Sequence, residues 1–252
     1  ADAGEIIVVD SSGVTISGAD VSDCSMGLIV AYCNDVTVEG VRADRSGVFG
    51  TYFAYVDGAV MRNTSADQTN HALDFRASRE LLLEQCAATD CDQGIFFSYV
   101  DNSRMVDCQV TGTGQGYFLA AGNHNTVTRC VASDCENGMN VQKENDMLVM
   151  NCAFTGNTVC ALRLDVSPTI AVDNRFEGNW VDVMAYGDAE VTLGNNQFQG
   201  SGSCALYLRD IPYSRILDNQ FIDSQGSSIQ CHGDMGGTVL EDNSLDKPME
   251  VS

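Results

Sequence analysis

The apolar residues of this chain occur in short segments in which every second position is apolar. One kind of segment is typified by Val14-Thr15-Ile16, Val36-Thr37-Val38 and Leu81-Leu82-Leu83, and a second kind by Leu28-Ile29-Val30, Leu73-Asp74-Phe75 and Leu206-Tyr207-Leu208. A spacing of two is typical of β-strands, and Gly, Asn and Asp separate the segments. No stretch keeps a helical period over ten residues. The pattern therefore predicts an all-β protein with two alternating strands in each repeat.

An internal repeat of 22 residues organises these segments. The hexapeptide Cys86-Ala87-Ala88-Thr89-Asp90-Cys91 recurs 44 residues later as Cys130-Val131-Ala132-Ser133-Asp134-Cys135, and Cys108 lies halfway between. The register continues from Val14 to Leu245 with occasional insertions, so coils have 22 to 24 residues. Repeats this short stack their strands in parallel, about 4.8 Å apart. We predict one β-solenoid domain over residues 1–252, a parallel β-helix of ten to eleven coils without helical caps.

Stacking the coils aligns small polar residues in two columns. The asparagines at the end of the first column predict a ladder in which each amide hydrogen-bonds to the next coil, and they are Asn174, Asn196, Asn219 and Asn243. The second column contains Cys91, Cys135, Asn157 and Asn179. Between the columns, an apolar column is predicted to point inward, with members Val110, Phe154, Phe176, Phe198 and Phe221.

The eleven cysteines allow three interpretations. Neighbours in the first column, Cys86 with Cys108 and Cys130 with Cys152, should have Cα atoms about 4.8 Å apart, inside the disulfide range of roughly 4.4–6.8 Å. Bonds across a corner, Cys86 to Cys91 and Cys130 to Cys135, are the alternative. Reduced thiols serving as small core residues are the third. The odd total leaves at least one thiol over; Cys24, Cys33 and Cys231 lie nearest the ends and are the candidates for intermolecular disulfides.

The charge of the chain restricts its partners. Thirteen Lys and Arg face 35 Asp and Glu, which gives a net charge of −22. Such a surface repels nucleic acid and anionic lipid. The sequence also contains no apolar run of 18 residues, so we predict no membrane insertion. The many cysteines and a start at Ala1, as in a mature exported chain, predict an extracellular or cell-envelope location.

No assembled reactive centre is evident in the sequence. The charged pairs Asp74–Arg76, Arg163–Asp165 and Arg209–Asp210 fall on different coils, and the three histidines, His71, His124 and His232, lie far apart. The cysteines lack zinc-knuckle spacing, and the calcium-binding nonapeptide repeat is missing. We therefore predict no catalytic, cofactor or metal site, and no enzymatic activity.

The columns of Asn and small residues resemble those of the parallel β-helix repeat family, which includes NosD-like exported proteins and polysaccharide lyases and hydrolases. The resemblance implies a right-handed coil and leaves the function open. In overall character, an exported, acidic, Cys-rich β-solenoid also resembles the major structural protein of the cell sheath of methanogenic archaea. That resemblance implies amyloid-like assembly, edge to edge, into a disulfide-stabilised tube.

Two functions are therefore predicted as alternatives. The first is a structural protein that polymerises with itself through uncapped edge strands, represented by Ile6 and Val8 at one end and by Val239 and Leu245 at the other. The second is an exported protein that binds or cleaves cell-surface polysaccharide. Its candidates for stacking on sugars are Tyr52, Tyr55, Tyr99, Tyr186, Tyr207 and Tyr213. Clustered Tyr, Arg and Asp on one outer face would favour the second function.

Overall fold

The computed structural model describes residues 4–187 and 190–252, which wind into a solenoid with three parallel sheets. Each turn passes through sheet 1, then sheet 2, then sheet 3. Sheet 1 contains β1 (Ile6–Val9), β3 (Met26–Ala31), β5 (Phe49–Ala54), β8 (His71–Arg76), β11 (Gln93–Ser98), β14 (Gln115–Ala120), β17 (Asn137–Gln142), β20 (Cys160–Asp165), β23 (Val181–Tyr186), β26 (Cys204–Arg209), β29 (Ile229–His232) and β31 (Met249–Val251).

The other two sheets complete each turn. Sheet 2 contains β2 (Thr15–Ser17), β4 (Asn34–Glu39), β6 (Asp57–Arg62), β9 (Arg79–Glu84), β12 (Arg104–Val106), β15 (Thr126–Thr128), β18 (Met147–Met150), β21 (Thr169–Val172), β24 (Val191–Gly194), β27 (Arg215–Leu217) and β30 (Val239–Glu241). Sheet 3 contains β7 (Ser65–Asp67), β10 (Ala87–Thr89), β13 (Gln109–Thr111), β16 (Val131–Ser133), β19 (Ala153–Thr155), β22 (Arg175–Glu177), β25 (Gln197–Gln199) and β28 (Gln220–Ile222).

The predicted fold class is confirmed. Residues 4–187 and 190–252 contain no helix, and the twelve strands of sheet 1 correspond to about eleven turns. The prediction of two strands per coil was wrong for most of the solenoid, because eight coils have a third strand, in sheet 3. A strand such as Ala87–Thr89 has three residues and points only Ala88 inward, so it shows no alternation of its own.

Aromatic stacking fills the core behind sheet 3. Phe154, Phe176, Phe198 and Phe221 are in register on successive coils, and all four are buried. Their ring centroids are 4.9–5.0 Å apart, which is the distance between coils. The predicted inward column is therefore present, and its spacing follows from the backbone hydrogen bonds between parallel strands.

Asparagine ladders satisfy the backbone at two corners. Asn196 donates from Nδ2 to the carbonyl of Ala171 at 2.9 Å, while its Oδ1 accepts from the backbone N–H of Asn174 at 2.9 Å. The Asn196 N–H in turn donates to Oδ1 of Asn219 at 2.9 Å, and Asn219 repeats the contact with Asn243. Each buried amide thereby satisfies backbone groups that the turn removes from the sheets.

Glu144 and Asp182 are fully buried in the solenoid wall, where polar groups hydrogen-bond to their carboxyl oxygens. Glu144 accepts hydrogen bonds from the N–H of Gly122 at 3.0 Å and from Nδ2 of Asn125 at 3.1 Å. Asp182 accepts from Nδ2 of Asn179 at 2.8 Å and from Oγ of Ser201 at 2.5 Å. Burial raises the pKa of each group to about 7.

Replacing Phe176 by Ala should lower the free energy of unfolding by about 3–5 kcal/mol, because the cavity lies between two stacked rings and the coils cannot collapse into it. Chemical denaturation monitored by circular dichroism measures the change. A loss below about 1 kcal/mol would contradict a tightly packed column.

The buried carboxyl groups predict a pH-dependent stability. Between the ordinary pKa values of 3.8 and 4.5 and the folded value of about 7, the folded state binds protons that the unfolded state has released. Their contribution to stability is therefore complete below about pH 4 and is lost as the pH rises through about 7. Between pH 5 and pH 8, the melting temperature of the double variant Glu144→Gln/Asp182→Asn should fall less than that of the wild type. Equal losses would show that the two groups do not titrate in this range.

Candidate functional site

The outward side of sheet 1, hereafter the outer face, carries one column of large side chains. Strand register places one such residue at the centre of each strand, and most are partly buried by their neighbours. In chain order the column contains Tyr52, Asp74, Phe96, Phe118, Asn140, Arg163, Met184 and Tyr207. Parallel in-register pairing therefore brings aromatic, charged and amide groups from different coils into one strip.

Near one end of the strip, a buried carboxylate is held by an arginine of the same strand and approached by a histidine. Nε of Arg76 donates to Oδ1 of Asp74 at 2.8 Å, and Nη2 donates to Oδ2 at 2.9 Å. Nδ1 of His71 lies 3.0 Å from Asp74 Oδ2, but its N–H direction does not form a hydrogen bond. Asp74 is 0% exposed, and its carboxylate raises the pKa of the Arg76 guanidinium, which remains charged.

Aromatic rings from the adjacent coils surround this ion pair. The guanidinium carbon of Arg76 lies 5.3 Å from the centroid of Phe96, 5.6 Å from Tyr52 and 5.8 Å from Phe49. The His71 ring lies 5.1 Å from Phe49. These distances are those of cation–π contacts, and the aromatic rings also exclude water from Asp74. Phe96 continues the strip by stacking on Phe118 at 4.9 Å with an interplanar angle of 3°.

A second cluster lies further along the same face. Arg163 donates from Nε to Oδ2 of Asp165 at 3.0 Å, and its guanidinium carbon lies 5.5 Å from the Tyr186 ring. The Tyr186 and Tyr207 centroids are 5.8 Å apart, and Tyr207 lies 4.9 Å from His232. Amide side chains occupy the interval between the clusters: Asn140 donates to Oε1 of Gln115 at 3.4 Å.

Sequence reasoning missed this face. Asp74–Arg76 and Arg163–Asp165 were recognised as pairs, but they were judged unrelated because they are on different coils, and His71 was treated as an isolated residue. In the structure, His71 is the first and Arg76 the last residue of β8, and both side chains approach the carboxylate of Asp74. By contrast, Arg209 lies 3.5 Å from Asp210 in an exposed pair, and His124 lies 3.1 Å from Asp146 away from the face. The usable signal was the 22-residue spacing of Tyr52, Asp74 and Phe96.

Most of the cysteines belong to the core, whereas Cys160 occupies the sheet 1 position that His71 and Gln115 occupy in earlier coils. No disulfide joins any of the eleven, all of which belong to the described part of the chain, so the proposed pairings stay predictions. The thiols of Cys86, Cys108, Cys130 and Cys152 contact one another in series. Hydrogen bonds to the neighbouring thiols, together with burial, raise the pKa of Cys86 and Cys130. Cys91 and Cys135 instead contact threonine hydroxyls at 3.2 Å.

The three cysteines suggested for intermolecular bonds differ in access. Cys33 and Cys231 are buried, so a second molecule would reach them only if the coil opened, while Cys24 is half-buried. An intermolecular disulfide therefore stays a prediction mainly for Cys24.

Two family models match the chain, each over more than half of its length. A model described as right-handed β-helix region matches residues 4–168, and one described as periplasmic copper-binding protein (NosD) matches residues 97–247. The chain belongs to the NosD-like, right-handed parallel β-helix family. No curated protein matched the sequence. Within the described residues of this β-helix, no helix is long and apolar enough to cross a membrane.

Solved structures with the same fold share little sequence with this β-helix. The A-module of the mannuronan C-5 epimerase AlgE6 from Azotobacter vinelandii is 16% identical, with a TM-score of 0.60 over 94% of this chain and 74% of that one. The Streptococcus pneumoniae surface protein and adhesin PfbA is 12% identical, with a TM-score of 0.58 over 94% and 84%. The Dettilon tailspike protein is 11% identical, with a TM-score of 0.56 over 94%, and this chain spans 62% of its length. These similarities show the fold alone.

Within the described residues, this β-helix has no cluster of side chains that fits a three-ligand copper centre. Among residues 4–187 and 190–252, no group of three or more His, Cys, Asp or Glu side chains is arranged to hold a metal ion. Cys231 and His232 are adjacent in sequence, but Cys231 is part of the core whereas His232 contacts Tyr207 on the outer face. Adjacent residues of a strand point to opposite sides, so these two cannot act together.

Proposed function

We propose that this β-helix is an extracellular or cell-envelope protein that binds polysaccharide along the outer face of sheet 1. The observation that carries the proposal is the Asp74–Arg76 ion pair enclosed by Phe49, Tyr52 and Phe96. Aromatic faces stack on the C–H groups of sugar rings, and guanidinium and amide groups hydrogen-bond to hydroxyls. The strip from Tyr52 to His232 crosses nine strands, a length of about 38 Å at ~4.8 Å per coil.

The charges on the face favour a neutral polysaccharide. Arg76 is paired with Asp74 and Arg163 with Asp165, so the basic groups of both clusters are neutralised locally. The rest of the surface is strongly acidic, since the chain has a net charge of −22. A polyanionic glycan would therefore meet repulsion with no uncompensated cation at the site.

The geometry favours binding over hydrolysis. The two carboxyl groups of a glycosidase lie roughly 5–9.5 Å apart and reach the glycosidic bond. Asp74 is fully buried with both oxygens bonded to Arg76. Asp165 is four strands away, about 19 Å at ~4.8 Å per coil. Among proteins with the same fold, one is named a surface protein and adhesin, which supports a binding role at the cell surface.

Binding is tested by native affinity electrophoresis in gels that contain hydroxyethyl cellulose, xyloglucan or alginate. We expect the protein to be retarded by at least one of the non-acidic polymers and not by alginate. Phe96→Ala should weaken that binding about twofold to tenfold, because a stacking contact contributes about 0.5–1.5 kcal/mol.

The matched control is Leu82→Ala, which removes a half-buried outward side chain from sheet 2, in the coil beside Phe96. It should leave binding unchanged. Equal weakening by both variants, or no retardation in any gel, would contradict a polysaccharide site on the outer face.

End-to-end assembly is the second candidate function. At the last coil, the inward columns end in exposed apolar side chains. Leu240 is in register with the buried Ile216 of the coil before it, and Val251, which is 70% exposed, is in register with the buried Cys231. At the opposite end of sheet 1, β1 places the partly buried Ile6 and Val8 in register with the core. A coil supplied by a second copy would cover these side chains and pair the edge strands.

Assembly predicts a concentration-dependent sedimentation coefficient that Leu240→Lys abolishes, because the charge would be buried in the contact. Ile170→Lys is the matched control, since Ile170 is also an exposed apolar residue of sheet 2 but lies in a middle coil. If Cys24 links the copies, denaturing detergent should leave oligomers that a reductant releases. A single monomeric species at millimolar concentration would exclude this function.

A further inference from the structure

A column of tyrosines lies at the corner between sheets 1 and 2, beside the outer face. The residue that follows each sheet 1 strand hydrogen-bonds through its N–H to the next coil, and in five successive coils this residue is Tyr32, Tyr55, Ala77, Tyr99 and Ala121. The corner thus presents aromatic rings along the solenoid axis, with an alanine between the second and third rings.

The backbone conformation of these tyrosines is unusual. Tyr32, Tyr55 and Tyr99 have φ of 54°, 55° and 54°, in the left-handed region that bulky residues rarely adopt. Glycine or asparagine would suit the corner better. The rings gain little burial in return, because Tyr55 is 57% and Tyr99 67% exposed. The equivalent corner residues Ala77 and Ala121 have φ of 45° and 59°, so the corner itself imposes this conformation on the chain. The line of exposed rings is therefore the feature that points to a binding site.

The alanine leaves a slot one ring wide. Tyr32 and Tyr55, on adjacent coils, stack with centroids 4.9 Å apart and an interplanar angle of 5°. Tyr55 and Tyr99 are two coils apart, about 9.6 Å at ~4.8 Å per coil, so a ring midway would stack on both. The structure has an open cavity of about 420 Å³ here, with Ala77 and Ser78 among the residues between the two tyrosines.

Two carboxylates and one guanidinium border the slot. Asp57 forms an ion pair with Arg79, and Asp101 accepts a hydrogen bond from Nδ2 of Asn123 at 2.8 Å through Oδ1. Carboxylate oxygens accept hydrogen bonds from hydroxyl and ammonium groups and repel anions. The occupant should therefore combine two flat apolar faces with a hydroxylated edge and carry no negative charge.

We infer that the slot between Tyr55 and Tyr99 binds one pyranose ring of a neutral or amino sugar with equatorial hydroxyls. Such a ring exposes axial C–H groups on both faces, one for each tyrosine, and directs its hydroxyls sideways toward Asp57, Arg79 and Asp101. Ala77 follows Arg76 directly, so the slot adjoins the polysaccharide face and extends the proposed function by a subsite for a terminal or branching residue.

The test uses saturation-transfer NMR with methyl β-D-glucopyranoside, methyl β-D-glucosaminide, methyl β-D-glucuronide and adenosine. Wild-type protein should transfer saturation to the glucoside and the glucosaminide, and at least tenfold less to the glucuronide. Ala77→Tyr should abolish transfer by filling the slot, because a tyrosine there completes the stack seen for Tyr32 and Tyr55. Ala121→Tyr is the matched control: it adds a tyrosine at the same corner position but on the far side of Tyr99, so binding should stay within twofold of wild type.

The outcomes separate the slot from the outer face. Wild-type-like transfer in Ala77→Tyr, or equal loss in Ala121→Tyr, would overturn the slot. Stronger transfer to adenosine than to the glucoside would overturn the assignment to a sugar. If Phe96→Ala weakens gel retardation but Ala77→Tyr leaves it unchanged, the slot is overturned and the polysaccharide face stands. If the wild type transfers saturation to the sugar but no gel retards it, the polysaccharide face is overturned and the slot stands.

Discussion

The hydrogen bonds between successive parallel strands are the constraint on which this molecule depends. They fix the rise per coil at about 4.8 Å, and every side chain therefore meets its equivalents one coil above and below. Inside, this spacing equals the distance at which phenylalanine rings stack, and the rings of Phe154, Phe176 and Phe198 are 4.9–5.0 Å apart. At the corners, it lets one asparagine side chain bond to the backbone of its neighbours on both sides.

The same spacing acts on the solvent side, where it produces chemistry that no single coil contains. Asp74 and Arg76 belong to one strand, but the rings that enclose them come from the coils before and after. A carboxylate with no solvent exposure is tolerable there because both of its oxygens are bonded to a guanidinium. Stacking outside the core is less complete than inside, and the gaps, such as the one at Ala77, are where a ligand ring could replace a missing side chain.

The repeat could be derived from the sequence because the inward columns repeat the same residue types at a fixed interval. Phe176 and Asn196 each follow from the 22-residue period alone. The third strand could not, since Ala88 or Val110 is its only inward residue and a single position has no periodicity. The outer face was missed because its column mixes Tyr52, Asp74 and Phe96, which share no residue type. His71 is three positions before Asp74, and strand alternation alone would place the two side chains on opposite sides of the sheet.

The central claim is that polysaccharide lies along the outer face of sheet 1. A crystal structure of the protein with the oligosaccharide that corresponds to the best-retained polymer tests it most directly. The account predicts sugar rings stacked on Tyr52 and Phe96, with hydroxyls within hydrogen-bond distance of Arg76. Ordered sugar on sheet 2 or at the ends of the solenoid, with the outer face bare, would contradict it.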